Sequence, residues 1–265
     1  MQIHLDTLAY SNRLRQLPPA QKLWFALWML LLALVSHYPV QILIFGWMSV
    51  WIVIYAGIPR RVYGAMLVGV LVFLITSLPA IAIEYARNST PAIQADTLWH
   101  MGIGSGQIYL SYRGTIRALE LLVRSSASTS VLFFIVLTIP AIDLVVTCQK
   151  LGCPQILIEL SLLIYRCIFI LGDTAQTIIT AQISRGGYRT HRLRLNSLNL
   201  LVRQLIHRTA NRYRQLTLGI NARGFNGELR FWQPQSHVYS WRYAIESIAG
   251  CLVLTIGEIL YRRYV

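Results

Sequence analysis

Two triplets, Ser184-Arg185-Gly186 and Ala222-Arg223-Gly224, hold the side chains of this chain best suited to recognition chemistry. A guanidinium set between small residues can offer its forked donors to carboxylates, phosphates or the backbone of a partner. The surrounding stretch is entirely positive: residues 174–227 hold nine arginines (185, 189, 192, 194, 203, 208, 212, 214 and 223) and no Asp or Glu. Each triplet alone can equally be a glycine-terminated helix end beside a basic loop. Catalytic chemistry has no comparable candidate. The four cysteines (148, 153, 167, 251) lack CxxC spacing, and the six histidines (4, 37, 100, 191, 207, 237) form no HxxxH or HExxH pair. No bound metal is therefore expected. The glycines at 102, 104 and 106 have the wrong spacing for a dinucleotide fingerprint, and no GxxxxGK[ST] occurs, so ATP chemistry has no seat here.

The elements that must position these arginines lie in a membrane. Apolar residues make up 55% and charged residues 13% of the 265 residues, against roughly 25% charged in soluble domains. Mean hydropathy is +0.51. The net charge of +14 comes from 24 basic residues, of which only Lys22 and Lys150 are lysines. Arginine in that excess suits an acidic protein surface or lipid headgroups. Nucleic acid is disfavoured, because the arginines sit between spans without interleaved aromatics.

Apolar runs at 23–35, 40–56, 62–83, 127–146 and 244–260 predict five spans. The first is retained as a span, because 23–35 ends without a small-x-small cleavage pattern. Arg13, Arg15, Lys22, Arg60 and Arg61 put the N-terminus and the second connection inside, and residues 84–107 outside as a flexible loop. Asn88-Ser89-Thr90 in that loop fits a glycosylation sequon. The last span then ends outside, in tension with Arg262 and Arg263.

Residues 108–124 predict an amphipathic helix. Ile108, Tyr112, Ile116, Leu119 and Val123 share one face; Arg113, Arg117, Glu120 and Arg124 share the other, with Glu120 placed to pair with Arg117 and Arg124. Such a helix lies at the membrane surface or turns its charges into a polar protein interior. Pro140 predicts a bend in the following span. Residues 155–183 read as a mostly apolar helix on which Glu159, Arg166 and Asp173 recur every seven residues along one seam. That seam is either a packing edge or a contact wall for the basic segment. Residues 195–220 predict an amphipathic helix of about seven turns.

With these residues in view, the chain resembles the transmembrane T component of energy-coupling factor (ECF) transporters, and most of all its CbiQ cobalt-transport branch. The resemblance rests on Ile158-Glu159-Leu160, Ile164-Tyr165-Arg166-x-Ile168-Phe169, Ala181-Gln182-x-Ser184-Arg185-Gly186-Gly187-Tyr188 and Ala222-Arg223-Gly224-Phe225-x-Gly227, in that order. His4-Leu5-Asp6-x-Leu8-Ala9, Pro19-x-x-Lys22-Leu23, Thr138-x-Pro140 and Leu151-Gly152-x-Pro154 also fit, so it covers nearly the whole chain. One departure is Ser184, where the regular pattern has Ala.

The resemblance implies a non-catalytic transporter subunit in the inner membrane of a bacterium or archaeon. It implies an all-α integral membrane protein of about five transmembrane helices plus cytoplasmic amphipathic coupling helices. The divisions are a bundle at 1–150, a coupling region at 151–232 and a last span at 233–265. Its partners are two ABC-type ATPases, which bind the ATP and Mg, and a substrate-binding membrane S component. This chain binds no cofactor. The triplets end short coupling helices, with Arg185 and Arg223 docking on the ATPases, Ser184, Gly186, Ala222 and Gly224 keeping those contacts open, and Glu159, Arg166 and Asp173 supporting them. Cobalt follows from the branch alone, with nickel or a vitamin open. A stand-alone secondary transporter or channel is the alternative. It requires a path of intramembrane ionisable residues, for which Glu120, Asp143, Glu159, Arg166 and Asp173 are the candidates.

Overall fold

The computed structural model describes residues 5–86, 97–103, 106–224 and 240–264. His4, the 88–90 sequon, Gly104 and residues 225–227 of the second motif lie outside them. The chain divides into two compact units, Met1–Asp143 with Ser236–Val265, and Leu144–Gln235.

In the first unit, helix α1 (Leu5–Ser11) leads to α2 (Pro19–Val35) and α3 (Tyr38–Val50), which continues as a π-helical turn over Trp51–Tyr55. Prolines sit in the first turns of α2 and α3, where a missing N–H costs nothing. The tight α2–α3 turn leaves carbonyls without helical partners, and buried Gln41 donates to two of them, Ala33 O at 3.1 Å and Ser36 O at 2.7 Å. Helix α4 (Arg60–Ala82) follows, then strands β1 (Ile83–Ala86), β2 (Thr97–Ile103) and β3 (Gly106–Ser111) and helix α5 (Tyr112–Thr138), while α6 (Ala141–Lys150) starts at the boundary and belongs mostly to the second unit. The strands form an antiparallel sheet in the order β1-β3-β2. Helix α9 (Trp241–Tyr264) completes the first unit. Phe25, Met29, Ile44, Met48, Ile52 and Phe134 fill the core where α2, α3 and α5 meet.

The helical membrane architecture is as the sequence predicts, with three differences. The outer connection, read as a flexible loop, carries the sheet, and residues 106–111 belong to β3 rather than to a helix starting at 108. The amphipathic stretch is not a separate helix: from Tyr112, capped by the Ser111 hydroxyl accepting from the Gly114 N–H at 3.1 Å, it runs unbroken into the apolar span. That span ends at Thr138 instead of bending. Ile139 is forced extended before Pro140 (φ −117°, ψ 113°), and a separate helix follows.

The break frees the carbonyls of Leu137 and Thr138. Buried Asn12 donates to both at 3.3 Å, and the buried Lys22 ammonium donates to Thr138 O at 3.2 Å. The separate motifs Pro19-x-x-Lys22 and Thr138-x-Pro140 thus meet at one rim. This rim, with Arg13, Arg15, Arg60 and Arg61 nearby in sequence, is the one the positive-inside rule places inside, here termed the inner rim. At the opposite rim the Glu258 carboxylate of α9 accepts from the His37 N–H at 3.1 Å and meets His37 Nδ1 at 2.7 Å. The end of α9 therefore lies beside the α2–α3 turn, the face that the sequence reading expects outside, despite Arg262 and Arg263. Its start is inner, because the Tyr243 ring lies 6.4 Å from Trp51 and 6.0 Å from Tyr55.

Helix α9 approaches α3 at Gly250, where a Cβ would stand 2.8 Å from three atoms of the Trp47 indole. Gly250→Val is expected to lower stability by about 1–3 kcal/mol through overpacking. Thermal unfolding in detergent checks this, read against Gly257→Val, whose Cβ meets nothing within 4 Å.

Among the described residues, five helical segments are long and apolar enough to cross a membrane: Tyr38–Tyr55, Arg60–Ile81, Tyr112–Thr138, Gln155–Ser184 and Trp241–Arg263. The predicted first span, in α2, has 17 residues and is shorter than these.

Candidate coupling site

The second unit contains a pair of long helices, α7 (Gln155–Ser184, 30 residues) and α8 (His191–Ala222, 32 residues). The sequence places the two Arg-Gly motifs at their ends, and the resemblance implied short helices there. Both helices are long instead. At 1.5 Å per residue α8 measures roughly 48 Å. Arg185 lies in the turn before it and Arg223 caps its far end, so one helix fixes the spacing of both motifs.

The two ends share one local geometry. Arg185 has φ −90° and ψ 9°, Arg223 φ −93° and ψ 12°, and each is followed by a glycine in the left-handed region, Gly186 at φ 71° and Gly224 at φ 75°. The Gly186 N–H donates to Ile183 O at 2.9 Å and the Gly187 N–H to Gln182 O at 2.9 Å, a complete Schellman turn. At the second motif the Gly224 N–H donates to Asn221 O at 3.1 Å, the corresponding bond. Helix α6 ends in the same way around Gly152 (φ 96°), with Leu151 where the other two ends have arginine. The turn thus requires its glycine but not an arginine. Arg185 and Arg223 are exposed, and no salt bridge holds either among the described residues.

Ser184 and Ala222 are exposed one residue before each arginine. The Ser184 hydroxyl donates back to Thr180 O at 3.0 Å, which satisfies it within its own helix and leaves the two motifs alike outwardly. The first turn is further braced against α8. Gln182 donates to Ser197 O at 2.9 Å, the Tyr188 hydroxyl to Gln182 Oε1 at 2.9 Å, and the Ser197 hydroxyl to Gly187 O at 2.9 Å. Gln182, Gly187 and Tyr188 stand in the sequence motif, whereas nothing in the sequence marked Ser197. A Cβ on Gly187 would lie 2.6 Å from Ser197 Oγ and 3.1 Å from Gln182 O. Gly187→Ala is therefore expected to cost about 1–2 kcal/mol locally by displacing this brace. Faster amide exchange over 182–197, with α5 unchanged, is the readout.

The residues of the seam stay apart. Glu159 accepts from Gln155 within α7 at 2.8 Å, and Arg166 and Asp173 are exposed. Asp173 lines a cleft of about 610 Å³ between α7 and α8 with Arg208 and Arg212, without a salt bridge to either. In the first unit Glu120 likewise forms no salt bridge with Arg117 or Arg124, contrary to the helical spacing. Among the described residues no group of three or more His, Cys, Asp or Glu is placed to hold a metal.

The profile of the CbiQ cobalt transport proteins matches residues 10–233, from α1 through the second Arg-Gly motif. The chain belongs to the CbiQ cobalt transport family. It is 32% identical to the cobalt transport protein CbiQ of Rhodobacter capsulatus over 95% of this chain and 93% of that one. With CbiQ of Salmonella typhimurium the identity is 27% over 84% and 97%. A putative fused cobalt transport protein, CbiMQ, of Methanocorpusculum labreanum is 31% identical over 88% of this chain, which spans only 38% of that longer protein. CbiQ membership and the membrane-spanning helices make this a multi-pass membrane component of bacterial or archaeal cobalt transport, a transporter subunit rather than an enzyme.

Proposed function

We propose that this CbiQ protein is the T component of an ECF-type importer. It carries motion from two partner ATPases to a separate substrate-binding membrane subunit, with cobalt as cargo. The reading rests on one observation: two exposed arginines stand in the same glycine-terminated turn at opposite ends of one long helix. Two equivalent docking elements suit two copies of an ATPase. ATP and Mg belong to those chains, and the absence of a phosphate loop from this sequence agrees with that division.

Chain parity supports a cytoplasmic position for 151–232. The chain leaves the first unit at its inner rim after Thr138 and returns there before Tyr243, so the intervening segment crosses the membrane an even number of times. Helix α8 carries six arginines and no acid, which excludes it from hydrocarbon. Helix α7 is long enough to cross, but without a returning partner it stays at the inner face. The spans are then α2, α3, α4, α5 and α9, with α2 near the lower limit of about 17 residues. The fused relative, which joins a further cobalt transport segment to a CbiQ segment, supports a membrane partner beside this chain.

Proteoliposomes test the reading. Cobalt uptake is expected only when this chain, both ATPases and the membrane partner are present with ATP. Uptake by this chain alone along a cobalt gradient would instead establish a stand-alone transporter.

A further inference from the structure

The outer half of the α4–α5 pair has a surface that suits neither lipid nor water. Two contacts fix the level of each residue on these antiparallel helices. Near the inner end the rings of Tyr63 and Phe133 lie 6.3 Å apart, and at the outer end Ile83 of β1 pairs with Leu110 of β3. With equal rise in both helices, Arg124 stands level with Gly69 to Val72, Glu120 with Phe73 to Thr76, and Arg117 with Thr76 to Pro79. At those levels α4 exposes Val72 (58%), Phe73 (72%) and Ile75 (56%). On α5 Arg117, Glu120 and Arg124 are also exposed.

If the bilayer reaches Ile75, Arg124 and Glu120 of α5 face hydrocarbon and Arg117 stands at its edge. If it stops below Arg124, the apolar face of α4 stands in water. Helix α5 resolves neither conflict by turning, because the face it buries is a row of small residues, Gly114, Ala118, Ser126 and Ala127. The apolar residues of the opposite face, Tyr112, Ile116 and Leu119, are themselves exposed. A surface that mixes charge with large apolar side chains at one depth is satisfied by a protein that brings both.

We propose that the outer half of α4 and α5 docks a membrane-spanning partner subunit. That partner sets carboxylates against Arg117 and Arg124 and apolar side chains against Phe73 and Ile75. Acidic complementarity follows from the excess of arginine over glutamate on the stripe. The proposal shares with the coupling function only the existence of a membrane partner; it uses neither Arg185 nor Arg223.

The test is co-expression with the ATPases and membrane subunit of the proposed transporter, and purification through a tag on this chain. Arg117→Glu/Arg124→Glu is expected to lower recovery of that membrane subunit about tenfold or more while ATPase recovery stays at the wild-type level. Arg117→Leu/Arg124→Leu, which removes the charge and suits lipid, is expected to lose the subunit as well. A photo-crosslinking residue at Leu121, with the rest of the chain unchanged, is expected to join this chain to the same subunit. This last arm stands even if the charge variants fail to fold. Full subunit recovery with the leucine variant, or crosslinks to lipid alone, would overturn the proposal. Loss of ATPases from the Arg185→Ala/Arg223→Ala variant is read separately and bears on the coupling function alone.

Discussion

Alanine at both Arg185 and Arg223 is expected to abolish ATP-driven cobalt uptake while leaving the protein folded. Neither guanidinium holds the turn it occupies, since α6 closes the same turn around Leu151-Gly152 with leucine in that position. The substitutions therefore spare the Schellman bonds, and thermal stability in detergent should change by less than about 0.5 kcal/mol, as for ordinary surface sites. Docking suffers far more. Truncating an arginine seated in a desolvated groove typically costs about 2 kcal/mol or more, roughly a thirtyfold loss at each site. The two sites flank one long helix, so each strengthens the other, and the double variant should lose more than either single one. The single variants should retain partial uptake. Lysine at the same positions restores charge without the planar fork and should rescue poorly. Uptake in proteoliposomes measures all of these.

A proline in the middle of α8 is expected to separate docking from transport. Leu205 lies 20 residues after Arg185 and 18 before Arg223, far from both turns. Leu205→Pro removes the helical bond to Leu201 and forces the ring against that carbonyl, a cost of about 3 kcal/mol that kinks or breaks the helix. Both Arg-Gly turns retain their own bonds, so each can still engage an ATPase. The spacing that α8, roughly 48 Å long, fixes between them is lost. ATPase recovery should fall only modestly while uptake collapses. If uptake survives a demonstrated kink, α8 is not the strut that sets the two sites, and the motifs work independently.

Much of this was legible in the sequence, for identifiable reasons. The Arg-Gly pairs stand out because a glycine after a long helical pattern marks a helix end, and an unbroken excess of arginine signals an external partner. The helical spans were legible from apolar runs, and the inner rim from Arg13, Arg15, Arg60 and Arg61. The run at 155–183 was ambiguous, since its length and hydropathy suit a span while the arginine-rich helix directly after it does not. The sheet was hidden because residues 83–111 are rich in glycine and short polar residues, which read as loop, and because pairing between Ile83 and Leu110 is non-local. The helical period at 112–124 was sound, but extending it back to Ile108 crossed a strand boundary that periodicity over four residues cannot detect. Period also suggested that Glu120 pairs with its neighbours; side-chain direction left them unpaired. Ser197 was invisible because its role comes from α8 folding back on the first turn. So was the meeting of Lys22 with Thr138, more than a hundred residues apart.

The decisive measurement is recovery of the two ATPases with this CbiQ protein, purified through its own tag from cells co-expressing the transporter genes, in wild type and in Arg185→Ala/Arg223→Ala. The wild type should bring both ATPases through size-exclusion chromatography as one complex, and the double variant should elute as a folded protein without them. ATPases retained by the double variant at wild-type level would contradict docking through these two turns.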